Sequence, residues 1–265
     1  MSSDTVLQEF GFSFAAGGPH LARTMMLPDL ESLLEDGRIE NSREQFCSAI
    51  EDENVLGKPS AQSRKLAFRH LAKLYALDQS VPLYSAFSFL WKRDPESRPL
   101  LALLVAYVRD SVLRSSAPFI FDLQPNAPFD REALERYIDG LWPGRFSPAT
   151  LKSTAQNIAG TWTQSGHLVG RSKKRRQTAK PGPGAISLAL LISHIQDDRG
   201  ILLFESEFVK LLDCSPIPAI ELAETASRKG WIKVKRIGKV VDVDFPRLTP
   251  MPKQEATDQM GLFDE

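Results

Sequence analysis

Apolar residues recur along this chain at helical spacing, in short blocks separated by serine, aspartate, glycine and proline. Leu30, Leu33 and Leu34 define a first amphipathic block after Pro28, closed by Gly37. Asn41 or Ser42 can cap a second block, whose inner face holds Phe46, Ala49 and Ile50. Gly57 and Pro59 then break the chain, and Ser60 caps a helix predicted over 61–77. That helix buries Leu66, Ala67, Leu71, Leu74 and Leu77, and its far side presents Gln62, Lys65, Arg69 and Lys73. Two more apolar blocks, 82–91 and 99–113, flank the Asp94-Pro95 break and predict packing helices. Pro118, Pro125 and Pro128 predict an irregular crossing, and residues 1–20, which lack a period, predict a flexible N-terminus.

The pattern restarts at Asp130, an N-cap with Phe129 before it to staple onto Leu134. Leu134, Tyr137, Ile138 and Leu141 form the inner face of this helix, which stops at Trp142-Pro143-Gly144. Ser147-Pro148 supplies a cap and a first-turn proline for the next helix, over 148–165. Leu151, Ala155, Ile158 and Trp162 make its core stripe; Gly166 closes it, and 167–169 begin a short strand. The Pro181-Gly182-Pro183-Gly184 run predicts a flexible boundary. After it, helices carrying Ile186, Leu190 and Ile195, then Phe208, Leu211 and Leu212, precede a third opened by Ser215-Pro216 and ended by Gly230. Strict alternation over 231–237 and 240–245, about a turn at Gly238-Lys239, predicts a hairpin. The sum is a mainly α fold of tandem helix-turn-helix or winged-helix-like units with a small C-terminal β-hairpin wing. Its expected divisions are 21–117, 128–180 and 185–248, followed by a flexible tail over 249–265.

Charge changes this picture in the middle of the chain. The protein has formal net charge +0, yet the window 140–196 holds eight Lys and Arg and no Asp or Glu. A polyanion feels the field within roughly 8–10 Å, so the local excess matters more than the global balance. Opposite the core stripe, helix 148–165 presents Ala149, Ser153, Gln156, Asn157, Gly160 and Gln164, flanked by Thr150 and Lys152. Short and amide side chains without carboxylates suit a helix in a major groove, and Gln156 and Asn157 have the amide geometry for adenine. Gly160 would allow close approach to the nucleic acid. Arg171, Lys173, Lys174, Arg175, Arg176 and Lys180 would follow the phosphates, with Lys65 and Arg69 of helix 61–77 as further candidates. In the last unit Glu221 and Glu224 argue for a packing or protein-contact role of the third helix, while Lys233, Lys235 and Arg236 of the hairpin could still touch a backbone.

Catalytic signatures are missing from this reading. His20, His70, His167 and His194 stand at no metal-ligand spacing, and a structural role is expected for the helical His70 and His194. Phosphate-loop and nucleophile-elbow patterns do not occur, so an enzyme is not expected. Cys47 and Cys214 read as free thiols of a reducing cytosol, and the longest apolar run, 100–108, is too short for a membrane span, which needs about 20 residues. A cytoplasmic protein without cofactors is expected.

Two segments carry resemblances. Glu53-Asn54-Val55-Leu56-Gly57-Lys58-Pro59-Ser60, running into Ser63-Arg64-Lys65 and Leu71-Ala72-Lys73-Leu74, resembles the N-terminal part of the BrxA family, accessory proteins of the BREX bacteriophage-defence system. Phe146-Ser147-Pro148-Ala149-Thr150-Leu151-Lys152 with Ser165-Gly166-His167-Leu168 looks like that family's second helical unit. The likeness spans about residues 20–170, rests on helix capping and apolar spacing, and does not include the unit after 185. It implies an all-helical, DNA-binding, non-enzymatic partner of a larger defence complex, with no catalytic residues to carry over. The tail sequence Gln259-Met260-Gly261-Leu262-Phe263 is similar to the peptide by which bacterial proteins dock on the DNA sliding clamp, with Gln259, Leu262 and Phe263 as its contact residues. The expected function is binding of double-stranded DNA as an accessory of phage defence. A winged-helix transcription regulator or a protein–protein adaptor are the alternatives.

Overall fold

Serine and aspartate start most of the helices in the computed structural model, which describes residues 3–35, 38–238 and 240–249. After α1 (Ser3–Phe10) and α2 (Leu27–Leu34), the Ser42 capping box opens α3 (Arg43–Glu51). Ser60 and Ser63 form the same reciprocal box at the head of α4 (Ala61–Tyr75). Proline at the first turn opens α5 (Pro82–Arg93), and α6 (Arg98–Arg109) follows a 3-10 turn. The apolar run 99–113 is not one helix: it breaks at Asp110, whose carboxylate accepts Val112 N and Leu113 N at 2.9 and 3.2 Å and starts α7 (Ser111–Phe121). Pro118 lies inside α7, so the expected irregular crossing begins only after Phe121.

Asp130 caps α8 (Arg131–Leu141) and Ser147 caps α9 (Pro148–Gln164), as the sequence predicts. Two short strands, β1 (Leu168–Val169) and β2 (Arg175–Arg176), pair antiparallel, with Leu168 opposite Arg176 and Val169 opposite Arg175. The last unit comprises α10 (Pro183–Ile195), α11 (Leu202–Glu205), α12 (Glu207–Leu211) and α13 (Pro216–Arg228). Its hairpin is β3 (Lys233–Ile237) and β4 (Val240–Asp244), in a register that sets Lys233 opposite Asp244 and Lys235 opposite Asp242. The fold is thus mainly helical with winged-helix order in its last two units. No helix among the described residues is long and apolar enough to cross a membrane.

Burial corrects the expected divisions. Leu100 to Val108 of α6 and Gly184 to Ser193 of α10 are buried all round, and these two helices pack side by side. Because α10 also lies against α5, the apolar core is continuous from the N-terminal helices into the last unit. The Pro-Gly-Pro-Gly run before α10 is pinned: Gly184 N donates to the buried Asp94 at 2.6 Å. A Cβ at Gly184 would meet Asp94 Oδ2 at 2.8 Å, so the glycine there permits a close approach and does not supply a flexible boundary. Residues 3–20 are likewise ordered. Leu7, Phe10 and Phe12 enter the core and His20 is fully buried, so the segment that lacks a period is held by tertiary contacts.

Candidate nucleic-acid interface

The central unit is assembled from α7, α8, α9 and three short strand segments. Asn126 N donates to Arg176 O, Arg176 N to Ala127 O and Phe129 N to Lys174 O, all at 2.9 Å. Residues 126–129 therefore flank β2 on the edge opposite β1, and 170–174 form the turn between the two strands. Helix, edge strand, helix, helix, strand, wing, strand is the winged-helix succession. Trp162, fully buried, anchors α9: its indole N–H donates to Ser116 Oγ at 3.1 Å, and Phe121 and His167 meet its ring edge-on.

The wing and α9 frame a groove of about 310 Å³, lined on one side by Gln156 and on the other by Arg171, Ser172 and Lys174. Arg131 and Asp130 of the α8 start complete it. Gln156, Lys152, Arg171, Lys173, Arg175 and Lys180 are exposed. Lys174 is half-buried, with Nζ donating to Thr163 Oγ1 at 2.8 Å and Gly170 O at 3.2 Å, and burial pushes its pKa down. Arg175 donates to Asn126 O at 2.8 Å and keeps its outward position. Among the described residues none of these cations lies within ion-pairing distance of a carboxylate.

Several expected contact residues are placed elsewhere. Arg176 is 5 % exposed and points inward, where its guanidinium holds Asp213 in a two-pronged ion pair, with Nη1 to Oδ2 at 2.9 Å. It also donates to Ile120 O and His167 O, so it joins the wing to the last unit and cannot meet a phosphate. Asn157 donates to His20 O at 3.2 Å, and Gln164 bonds Thr24 and Leu27 N. The close approach at Gly160 is by this chain's own Thr24, whose methyl would lie 2.7 Å from an added Cβ. One side of the expected reading face is therefore covered by residues 20–27. Thr150 and Ser153 are half-buried; Thr150 shares a 2.9 Å bond with the cap Ser147, and Ser153 Oγ donates to Thr150 O.

The hairpin cations face acidic neighbours. Lys233 and Lys235 stand across from Asp244 and Asp242, and Arg236 lies 3.7 Å from Glu224. Lys65 and Arg69 are exposed on α4, away from the wing groove. Lys152 shares a different groove with Arg131, Glu132, Glu135, Arg136 and Asp139, so α8 presents charges of both signs beside it. Gln259, Leu262 and Phe263 lie outside the described residues.

Sequence reasoning missed two buried centres. His20 Nδ1 donates to Asp110 Oδ2 at 2.8 Å, and its Nε2 meets Thr161 Oγ1 at 2.8 Å. A hydroxyl, imidazole and carboxylate in line have the order of a nucleophilic triad, but all three residues are 0 % exposed and Thr161 also accepts Met25 N. The trio is a clasp that holds residues 20–25 across α9. His167 forms the second centre, donating from Nε2 to Leu211 O and accepting from Ser165 at Nδ1, each at 2.9 Å. Burial lowers its pKa to about 4, opposed by Asp213 and reinforced by Arg176.

Because the folded value lies below the ordinary one, the unfolded chain takes the proton first. The stabilisation is complete above the ordinary histidine range and is lost as pH falls toward the folded value. Stability is expected to drop by about 2 kcal/mol between about pH 7 and about pH 5 from this group. His167→Gln should flatten that part of a urea-denaturation profile; an unchanged slope would remove His167 from the explanation. The chain matches no known family model, and no curated protein sequence matches it.

Proposed function

We propose that the protein binds double-stranded DNA without catalysis, through the wing and the exposed N-terminal half of α9. The observation that carries this reading is the group of wing cations Arg171, Lys173, Lys174 and Arg175, none within ion-pairing distance of a carboxylate among the described residues, with Arg171 and Lys174 across a groove from Gln156. Arg171, Lys173, Lys174 and Arg175 supply the phosphate contacts, and Lys152 and Lys180 extend them. Gln156 reads a base edge, and the covered Asn157 and Gly160 leave few direct base contacts, which favours weak sequence preference.

With about six phosphates engaged, the logarithm of affinity should fall against the logarithm of salt with a slope of about −5. The triple reversal Arg171→Glu, Lys173→Glu, Arg175→Glu leaves buried Arg176 in place. It should abolish retention of a random duplex in a gel shift at physiological salt. A folded triple variant that retains duplex like the parent would sink the reading.

The resemblance of 53–74 and 146–168 to the BrxA family supports a place as accessory of a BREX-like defence system. In that role the last unit contacts protein. Its exposed Ile217, Ile237 and Val240, beside the offset hairpin charges, favour protein contact over DNA contact. Co-expression with neighbouring defence proteins, and loss of co-purification in Ile217→Asp/Ile237→Asp, is the corresponding test.

A further inference from the structure

On the far side of the clasp the chain forms a second cationic cleft, of about 400 Å³. One wall is α4, with Arg69, His70 and Lys73, and the other is the loop over 13–19. Arg109 from the end of α6 and Arg145 from the α8–α9 turn close the cleft. None of the residues that line it is acidic. Asp110, next to Arg109, is turned inward onto His20 and fully buried.

Two of these cations are held in position. Arg109 donates to Lys73 O at 2.9 Å and to Gly11 O, and burial lowers its pKa to about 10. Arg145 lies over two rings, 5.7 Å from Trp142 and 5.2 Å from Phe146. His70 Nδ1 is buried without a hydrogen-bond partner, and burial, then Arg23, Arg69 and Lys73, hold its pKa below the ordinary range. Across from it the N–H groups of Ala16 and Gly17 make no hydrogen bond among the described residues. Four cations with no carboxylate among the lining residues, beside idle N–H donors, are complementary to an anion of high charge density.

We infer that this cleft is a phosphate-binding site, taking a phosphate group with two or more negative charges. Arg69, Lys73 and Arg145 supply the charge, and the 16–17 backbone supplies N–H donors. The inference does not rest on DNA binding by the wing, because the two grooves share no residue.

Calorimetry of the full chain with inorganic pyrophosphate at low salt tests it. Saturable one-site binding is expected, weakened at least about tenfold in Arg69→Ala/Lys73→Ala. Both of those side chains are exposed, so the variant should keep its melting profile. The wing triple reversal should bind pyrophosphate like the parent. Absence of binding at about 1 mM pyrophosphate, or parental affinity in a folded Arg69→Ala/Lys73→Ala variant, would overturn the site. Competition in the wing-reversed variant identifies the source of the phosphate. Displacement by ATP and not by a short duplex without terminal phosphates is expected; displacement by that duplex, whose phosphodiesters carry one charge each, would overturn the assignment. Failure of both competitors to displace pyrophosphate would also overturn it.

Discussion

Asp213→Asn is expected to destabilise the protein by about 3 kcal/mol, although it lies far along the chain from the residues that it supports. Arg176 is almost fully enclosed, and Asp213 is the carboxylate paired with it. Removing that charge leaves a buried guanidinium with neutral carbonyl partners alone to offset its desolvation. The same carboxylate accepts Ala179 N at 2.8 Å, so the segment leading into α10 loses an anchor as well. Asparagine is the sharper substitution because Asp213 has φ 54°, a backbone state that asparagine tolerates and alanine does not. Asp213→Ala should therefore lose about 1 kcal/mol more. A total stability of about 5–15 kcal/mol makes either change visible as a shift of the urea midpoint at constant slope. Replacing the pair together, Arg176→Met/Asp213→Asn, should cost less than the sum of the single changes. A loss below about 1 kcal/mol in Asp213→Asn would mean that water reaches the guanidinium and that the wing is not anchored through it.

The difference between Arg176 and its neighbours shows what could be read from the chain and what could not. Lys173 to Arg176 is one basic run, and composition treats its members alike. Pairing separates them: Arg176 sits opposite the buried Leu168, Arg175 opposite the exposed Val169. Alternation from the 167–169 strand signal could have placed one arginine inside, had the return strand been recognised. Two residues of ladder are too short for a period to declare itself.

Caps were the most legible feature, because a cap is a local bond between residues two or three apart. Ser42, Ser60, Asp130 and Ser147 all start helices where the punctuation puts them. Asp110 is also a cap, but it lies at the end of the apolar run 100–108, where continuous hydrophobicity reads as one helix. Its break is stabilised by His20, 90 positions away, which no local pattern can report. The candidate interface was legible to the same extent. The acid-free window marked the wing, but which side of α9 remains open depends on residues 20–27, which fold back from outside the window.

Asp110→Ala is expected to cost about 2–4 kcal/mol and to release that fold-back. The carboxylate accepts four hydrogen bonds, from His20 N and Nδ1 at 3.0 and 2.8 Å and from Val112 N and Leu113 N. Loss of the helix cap alone costs about 1 kcal/mol, and the stranded donors on His20 add about 1–3 kcal/mol. Burial by itself would push the Asp110 carboxyl up, but the His20 bond and charge, with the backbone N–H groups, hold it below the usual range. A depressed carboxylate contributes stability above its ordinary pKa, lost as pH falls through the folded value, so the parent should unfold in acid where Asp110→Asn is less sensitive. Thr161 transmits the change, because its hydroxyl bonds His20 Nε2 and also accepts Met25 N. Without Asp110 the imidazole is no longer oriented, and residues 20–27 should lift from α9. Trypsin cleavage after the exposed Arg23 measures that release directly. Cleavage as slow as in the parent, in a variant destabilised by the expected amount, would show that Thr161 and Asn157 alone keep the segment seated across the helix.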